Sequence, residues 1–326
     1  MSLVEERIAF KPFQYPWAYQ SWKDQHNMHW LPEEVPLADD VKDWHHSLTP
    51  EERNLVTQIF RFFTQSDVEV NNCYMRHYTR FIKPPEVAMM LVAFSDMETI
   101  HIDAYSHLLD TIGMPETEYE AFLDYTEMKD KFDYMRSFDP KNPQEVAETM
   151  AAFGAFTEGV QLFASFAILM NFPRFNKLKG MGQIVTYSVR DETLHCLSMI
   201  RLFHEWVAEH PEIDRDKLFE RITTIAKEIV EHEDRFIDLA FQEGPVQGLT
   251  PEEVKQYIRY VADDRLVRLG MDKLYNIDEN PLPWMDSMLN SVEHAGFFEQ
   301  RATEYTRNAT QGTWGDVWPE DGLVQE

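Results

Sequence analysis

The stretch FSDMETIHIDAYSHL, residues 94–108, sets three polar side chains into an apolar run: Glu98, His101 and Tyr105. Steps of three and four residues put all three on one face of a helix. A carboxylate, an imidazole and a phenol on an apolar face each cost free energy to bury unless something binds them. The motif inside the stretch is Glu98-Thr-Ile-His101, and it occurs again in VRDETLH (189–195) as Glu192-Thr-Leu-His195. Upstream of each copy stands a lone acid among apolar neighbours. Asp67, in FRFFTQSDVEV, lies 31 residues before Glu98; Glu158, in MAAFGAFTEGVQLFASF, lies 34 residues before Glu192. One pattern is thus written twice: a carboxylate on one helix, then a carboxylate and a histidine one turn apart on the next.

The sequence between these motifs reads as helix throughout. Breakers stand far apart, at Pro84-Pro85, at Gly113 with Pro115, at DPKNP (139–143), at Pro173, at Pro211, at GPVQG (244–248) and at NPLP (280–283). The segments they bound have helix length and not strand length. SLTPEE (47–52) supplies Thr49 as N-cap, Pro50 at the first helical position and Glu52 to close a capping box, and GLTPEE (248–253) repeats the device. No alternating strand pattern and no solenoid-type repeat is present. The reading is an all-α protein of about eight long helices. Residues 1–48, rich in Trp and Pro, form an N-terminal arm, 49–305 a ferritin-like helical domain, and 306–326 a flexible C-terminal tail.

Two helices that each carry a carboxylate, and two that each carry ExxH, can close into a bundle around a pair of metal ions. This is the ligand pattern of ferritin-like di-iron and di-manganese proteins. Four carboxylates and two imidazoles suit iron or manganese, and the acids offset the charge of two divalent cations. A single ExxH on a helix is weak evidence. Asp43-Trp-His45-His46 in the arm and Glu231-His232 farther on are similar short clusters, and both read as solvated surface. The duplicated pattern, with a buried acid upstream of each copy at nearly equal offset, is what carries the metal reading. Tyr105, seven residues after Glu98, lies on the same face and close to the metal. Leu162 and Phe166, four and eight residues after Glu158, would share its face and line an apolar pocket around the tyrosine.

The composition narrows the class further. The 326 residues hold 57 Asp and Glu against 30 Lys and Arg, a formal net charge of −27. Such a surface repels phosphate backbones and anionic bilayers, so neither nucleic acid nor membrane is an expected partner. The most apolar window, LFASFAILMNF, is too short to span a bilayer, and MSLVEERIAFKPF has no apolar run of signal-peptide length. Cys73 and Cys196 make no disulfide framework, which fits a reducing, cytoplasmic setting.

With these residues in view, the chain resembles the small, radical-generating subunit of class I ribonucleotide reductase over essentially its whole length. ETIHIDAYSH (98–107) and VRDETLH (189–195) carry the resemblance. It implies that Asp67, Glu98, His101, Glu158, Glu192 and His195 ligate a dinuclear centre, with Fe2 preferred and Mn2 accepted by the same donors. It implies that O2 activates the centre and that Tyr105 becomes the radical. It further implies that Trp30, in HWLPEEV (29–35), pairs with Asp191, which bridges to His101, and that Tyr305, in FFEQRATEYTRN, passes the radical to a large catalytic subunit. Glu299 would help manage the proton of Tyr305. The resemblance also implies a homodimer, docking of the C-terminus on the large subunit, and a flavodoxin-like activator if manganese is used. The alternative is a ferritin-like di-metal oxidase or oxygenase acting on an organic substrate. A storage protein of the same fold would have no use for Tyr105.

Overall fold

In a computed structural model of the chain, which describes residues 2–288, the regular elements are helical. Among the described residues the only strand-like pairing is one isolated bridge between Val246 and Leu249. The helices are α1 (Pro16–Asn27), α2 (Ala38–His46), α3 (Pro50–Cys73), α4 (Pro85–Ile112), α5 (Thr126–Arg136), α6 (Pro143–Met150), α7 (Leu162–Arg174), α8 (Lys179–Glu209), α9 (Arg215–Ala240) and α10 (Pro251–Arg268). Two π-helical segments extend them: Tyr74–Tyr78 continues α3, and Ala151–Gln161 joins α6 to α7. Tyr305, Glu299 and the tail 306–326 lie outside the described residues.

The ends of these helices follow from local chemistry. Thr49 caps α3 and Thr250 caps α10, each in a full capping box with Pro at the start. The Asn142 side chain accepts from Glu145 N at the start of α6, and Asp214 accepts from Lys217 N at the start of α9. Gly113 ends α4 at φ +81°, the left-handed conformation that glycine adopts without penalty. Helix α8 has no cap of its own. Its first amides are taken by the arm instead: Asp40 of α2 accepts from Gly180 N at 2.9 Å and Met181 N at 2.7 Å, and Asp43 accepts from Leu178 N. A buried carboxylate at a helix N-terminus meets both the orphan amides and the helix dipole. The close approach requires glycine at 180, where a Cβ would stand 2.6 Å from the Pro36 carbonyl oxygen.

Helices α3, α4 and α8 and the rod from α6 through α7 form the central bundle. Helix α1 packs on α4, and α9 and α10 pack on the Ala151–Gln161 segment from the other side. The rod Pro143–Arg174 is long and apolar enough to cross a membrane, longer than the Leu162–Phe172 run suggests, because the π-helical segment adds to it. All of its apolar window is buried in the bundle, so its hydrophobicity is that of a core helix. The arm is a covering layer. Leu3, Tyr15, Ala18 and Trp30 are buried in the core, and buried Glu86 of α4 accepts from the amides of Gln14 and Tyr15.

Candidate metal centre

Each of the four central rods delivers its acid to one place. Asp67 comes from α3, Glu98 and His101 from α4, Glu158 from the Ala151–Gln161 segment, and Glu192 and His195 from α8. All six are at most 1% exposed. Their ligand atoms fall into two groups, Asp67–Glu98–His101 and Glu98–Glu158–Glu192–His195, with the atoms of each group within 4.8 Å of one another. Glu98 belongs to both groups, which gives it the place of a shared carboxylate. His101 Nδ1 lies 3.2 Å from Glu192 Oε1 and 3.6 Å from Glu98 Oε2. His195 Nδ1 lies 3.1 Å from Glu98 Oε1 and 3.6 Å from Glu192 Oε2.

These approaches lack hydrogen-bond geometry. Oδ2 of Asp67, both oxygens of Glu98, Oε2 of Glu158 and of Glu192, and Nδ1 of both histidines are buried with no hydrogen-bond partner. Native interiors rarely leave such atoms unpaired, and here these seven converge on the six residues singled out by the duplicated pattern, apart from others scattered through the described residues. A donor set of carboxylate oxygens and imidazole nitrogens arranged in this way fits a pair of divalent first-row cations. Without cations Asp67, Glu158 and the two imidazoles are driven to hold protons. Burial, then the charge of Glu98, pushes the Asp67 carboxyl up, and burial with the charges of Glu192 and Glu98 pushes Glu158 up to about 8. Burial would pull both imidazoles down, but the carboxylates close around them, Asp191 first for His101 and Glu158 first for His195, reverse that direction. Cation binding to this cage would therefore release protons.

The outer nitrogens of the two histidines are tied into one polar chain. Trp30 Nε1, a donor only, donates to Asp191 Oδ2 at 2.9 Å, and His101 Nε2 lies 3.2 Å from the same oxygen. Gln25 Nε2 donates to Asp191 Oδ1 at 3.2 Å, which turns the amide oxygen toward His195 Nε2 at 2.8 Å. An amide oxygen can only accept, so His195 carries its proton on Nε2; facing Asp191, His101 does the same. Both imidazoles then present Nδ1 to the cage. Gln25, in α1, has no signal in the sequence that marks it.

Tyr105 is 1% exposed, and its hydroxyl donates to Ser188 Oγ at 2.7 Å. Burial, then the Asp67 charge, pushes its phenol well above the ordinary value. Its ring packs against Phe63 at 4.6 Å and Phe60 at 6.0 Å between centroids. Phe166 packs edge-on to Phe63 at 5.5 Å. Glu158 itself lies in the π-helical segment Ala151–Gln161, where the Thr157 hydroxyl donates to Ala152 O. The nearer wall was legible elsewhere: Phe60 and Phe63 lie seven and four residues before Asp67, and Ser188 lies four before Glu192. On the other side of the cage, Tyr74 donates to Glu158 Oε1 at 2.6 Å. His45 and His46 are exposed, as surface residues should be.

A helical bundle with four carboxylates and two imidazoles converging in its core defines a ferritin-like dimetal-carboxylate fold. Comparison with known proteins narrows this. The family model described as ribonucleotide reductase, small chain, matches residues 7–281. A probable ribonucleoside-diphosphate reductase small subunit of Invertebrate iridescent virus 6 is 43% identical, covering 98% of this chain and 99% of its own length. Among solved structures, the ribonucleotide reductase R2 subunit of Clostridium botulinum aligns with a TM-score of 0.81 at 25% identity, over 89% of this chain and 94% of that one. Dimanganese(II)-NrdF of Streptococcus sanguinis has the same fold, with a TM-score of 0.76 at 21% identity, over 87% and 99% of the two chains. The chain belongs to the ribonucleotide reductase small-chain family. It is the small subunit of a ribonucleoside-diphosphate reductase, an oxidoreductase, and the oxidase reading on this fold is not favoured.

Proposed function

We propose that Asp67, Glu98, His101, Glu158, Glu192 and His195 hold a dinuclear centre, and that Tyr105 is the residue on which a stable radical forms. The observation that carries this is the set of orphaned, buried donor atoms on those six residues, with a buried phenol beside it. A metal pair held by these six residues, iron by preference and manganese on the same donors, would supply one-electron oxidising power with O2 as oxidant.

Tyr105 gives up one electron and its phenolic proton. Phe60 and Phe63 exclude water and reductants from its ring, which lengthens the life of a radical. Trp30, Asp191 and His101 form the hydrogen-bonded route by which the oxidising equivalent leaves the cage. Asp191 accepts from the indole N–H and can hold its proton. Tyr305, outside the described residues, is proposed as the last carrier before the large subunit, where ribonucleotides are reduced to deoxyribonucleotides. A homodimer joined to that large subunit, in the cytoplasm, is the proposed assembly, with a flavodoxin-like activator if manganese is the metal. The division into an arm (1–48), a helical domain (49–305) and a docking tail (306–326) belongs to the same reading.

The test is to load metal-free protein with Fe(II), admit O2, count metals and record an EPR spectrum. A tyrosyl signal with two irons per chain is expected, and Tyr105→Phe should keep the irons and lose the signal. An unchanged tyrosyl signal in Tyr105→Phe would refute the assignment. Two metals without any radical in the wild type would favour manganese with an activator.

A further inference from the structure

A second buried tyrosine touches the cage directly. Tyr74 opens the π-helical segment Tyr74–Tyr78 at the end of α3, seven residues after Asp67 and on the same side of the rod. It is 2% exposed, and its hydroxyl donates to Glu158 Oε1 at 2.6 Å. Its ring is held edge-on by Phe94 at 6.1 Å and by the His195 imidazole at 6.2 Å, while Phe94 itself lies over that imidazole at 4.3 Å. The phenol therefore cannot swing away without disturbing a ligand.

The consequence falls on Glu158. This acid is fully buried in a π-helical segment, and one of its oxygens is engaged by the phenol while the other, Oε2, has no partner. Glu98 contrasts with it: both of its oxygens are unpartnered, and it belongs to both ligand groups. A carboxylate with two free oxygens can span two cations. One with an oxygen tied to a neutral donor presents a single oxygen and stays on one.

From this geometry we infer that Tyr74 is a positioning residue of the metal centre, fixing Glu158 as a terminal, one-oxygen ligand of the cation held with Glu192 and His195. This rests on the reading of the six residues as a two-cation cage. It makes the two cation positions unequal: the position with Asp67 and His101 receives no such restraint from Tyr74. The hydrogen bond acts on ligand orientation, and Tyr74 exchanges no electron or proton in this role. Partners of this kind, one step out from the metal, typically change affinity by about 10–100-fold when removed.

The test uses the full chain, metal-free, titrated anaerobically with Mn(II) and followed by metal count and by the EPR of the bound ions. Tyr74→Phe keeps the ring and removes the hydroxyl. The expected result is one cation bound as in the wild type, the second bound about 10–100-fold more weakly, and a changed spin-coupled spectrum where both positions are filled. Tyr78→Phe is the control. That phenol is as deeply buried but donates to the Thr149 carbonyl, away from the cage, so it should leave both the isotherm and the spectrum unchanged. Wild-type binding and spectrum in Tyr74→Phe would overturn the inference, and so would an equal loss in Tyr78→Phe, which would mark a general packing effect. If the wild type itself fails to bind two cations, the cage reading falls, a separate outcome.

Discussion

Replacing Gln25 with leucine tests whether the bundle sets the metal centre through the outer nitrogens of its histidines. The side chain makes two buried bonds, accepting from His195 Nε2 at 2.8 Å and donating to Asp191 Oδ1 at 3.2 Å. Leucine keeps the approximate volume and makes neither. His195, at 0% exposed, is then left with a buried N–H and no acceptor, which costs about 1–3 kcal/mol. Part of that cost appears as lower stability of the metal-free chain. The rest appears when the imidazole rotates off its single orientation, so that Nδ1 no longer faces Glu98 and Glu192. Since about 1.4 kcal/mol is a factor of ten in an equilibrium constant, the affinity of the cation bound by His195 should fall about 10–100-fold, the range usual for such partners. The assay is anaerobic competition against a chelator of known affinity, with metals counted per chain. Gln25→Glu is the companion variant: its carboxylate can still accept from His195 and should preserve that cation, while it loses the donor to Asp191 and sets a like charge against it. Wild-type affinity in Gln25→Leu would refute the argument that this hydrogen bond fixes the ligand.

Three further perturbations reach other parts of the molecule. Ser188→Ala removes the hydroxyl that accepts from Tyr105 and leaves that buried phenol without an acceptor; two metals should still bind, and the yield of the tyrosyl EPR signal should change. Asp40→Ala strips the buried carboxylate from the first amides of α8 and should lower stability by about 1–3 kcal/mol, read by denaturant unfolding of the metal-free chain. Lys131 and Glu233 form a buried pair at 2.6 Å, with the ammonium against the rings of Phe62 and Phe236. Lys131→Met leaves that acid in the core without its counter-ion and should cost about 3–5 kcal/mol at neutral pH. Burial already pushes the Glu233 carboxyl up, and Lys131 opposes this; without the lysine the carboxyl rises further. The deficit should therefore be small below the ordinary carboxylate pKa, where Glu233 is protonated folded or unfolded. It should grow as pH rises toward the raised folded value. Thermal melts at acid and neutral pH measure it, and a pH-independent deficit would count against the charge argument.

The sequence by itself determined the helical class, the helix starts at Thr49 and Thr250, and the six side chains that converge in the core. Period, cap and spacing are local properties, and a motif written twice needs no tertiary information to be noticed. It also placed Tyr105 on the ligand face, because seven residues return to the same side of an α-helix. The tertiary structure alone decided what surrounds those residues. Gln25 reaches the centre from α1 with no fixed spacing to the motifs, and although Tyr74 and Ser188 stand at helical steps from Asp67 and Glu192, what their hydroxyls meet is set by the neighbouring rods. Lys131 and Glu233 sit in α5 and α9, and only the packing of these helices buries the pair. Local periodicity says which face a residue occupies; only the packing of one rod against another says what that face meets.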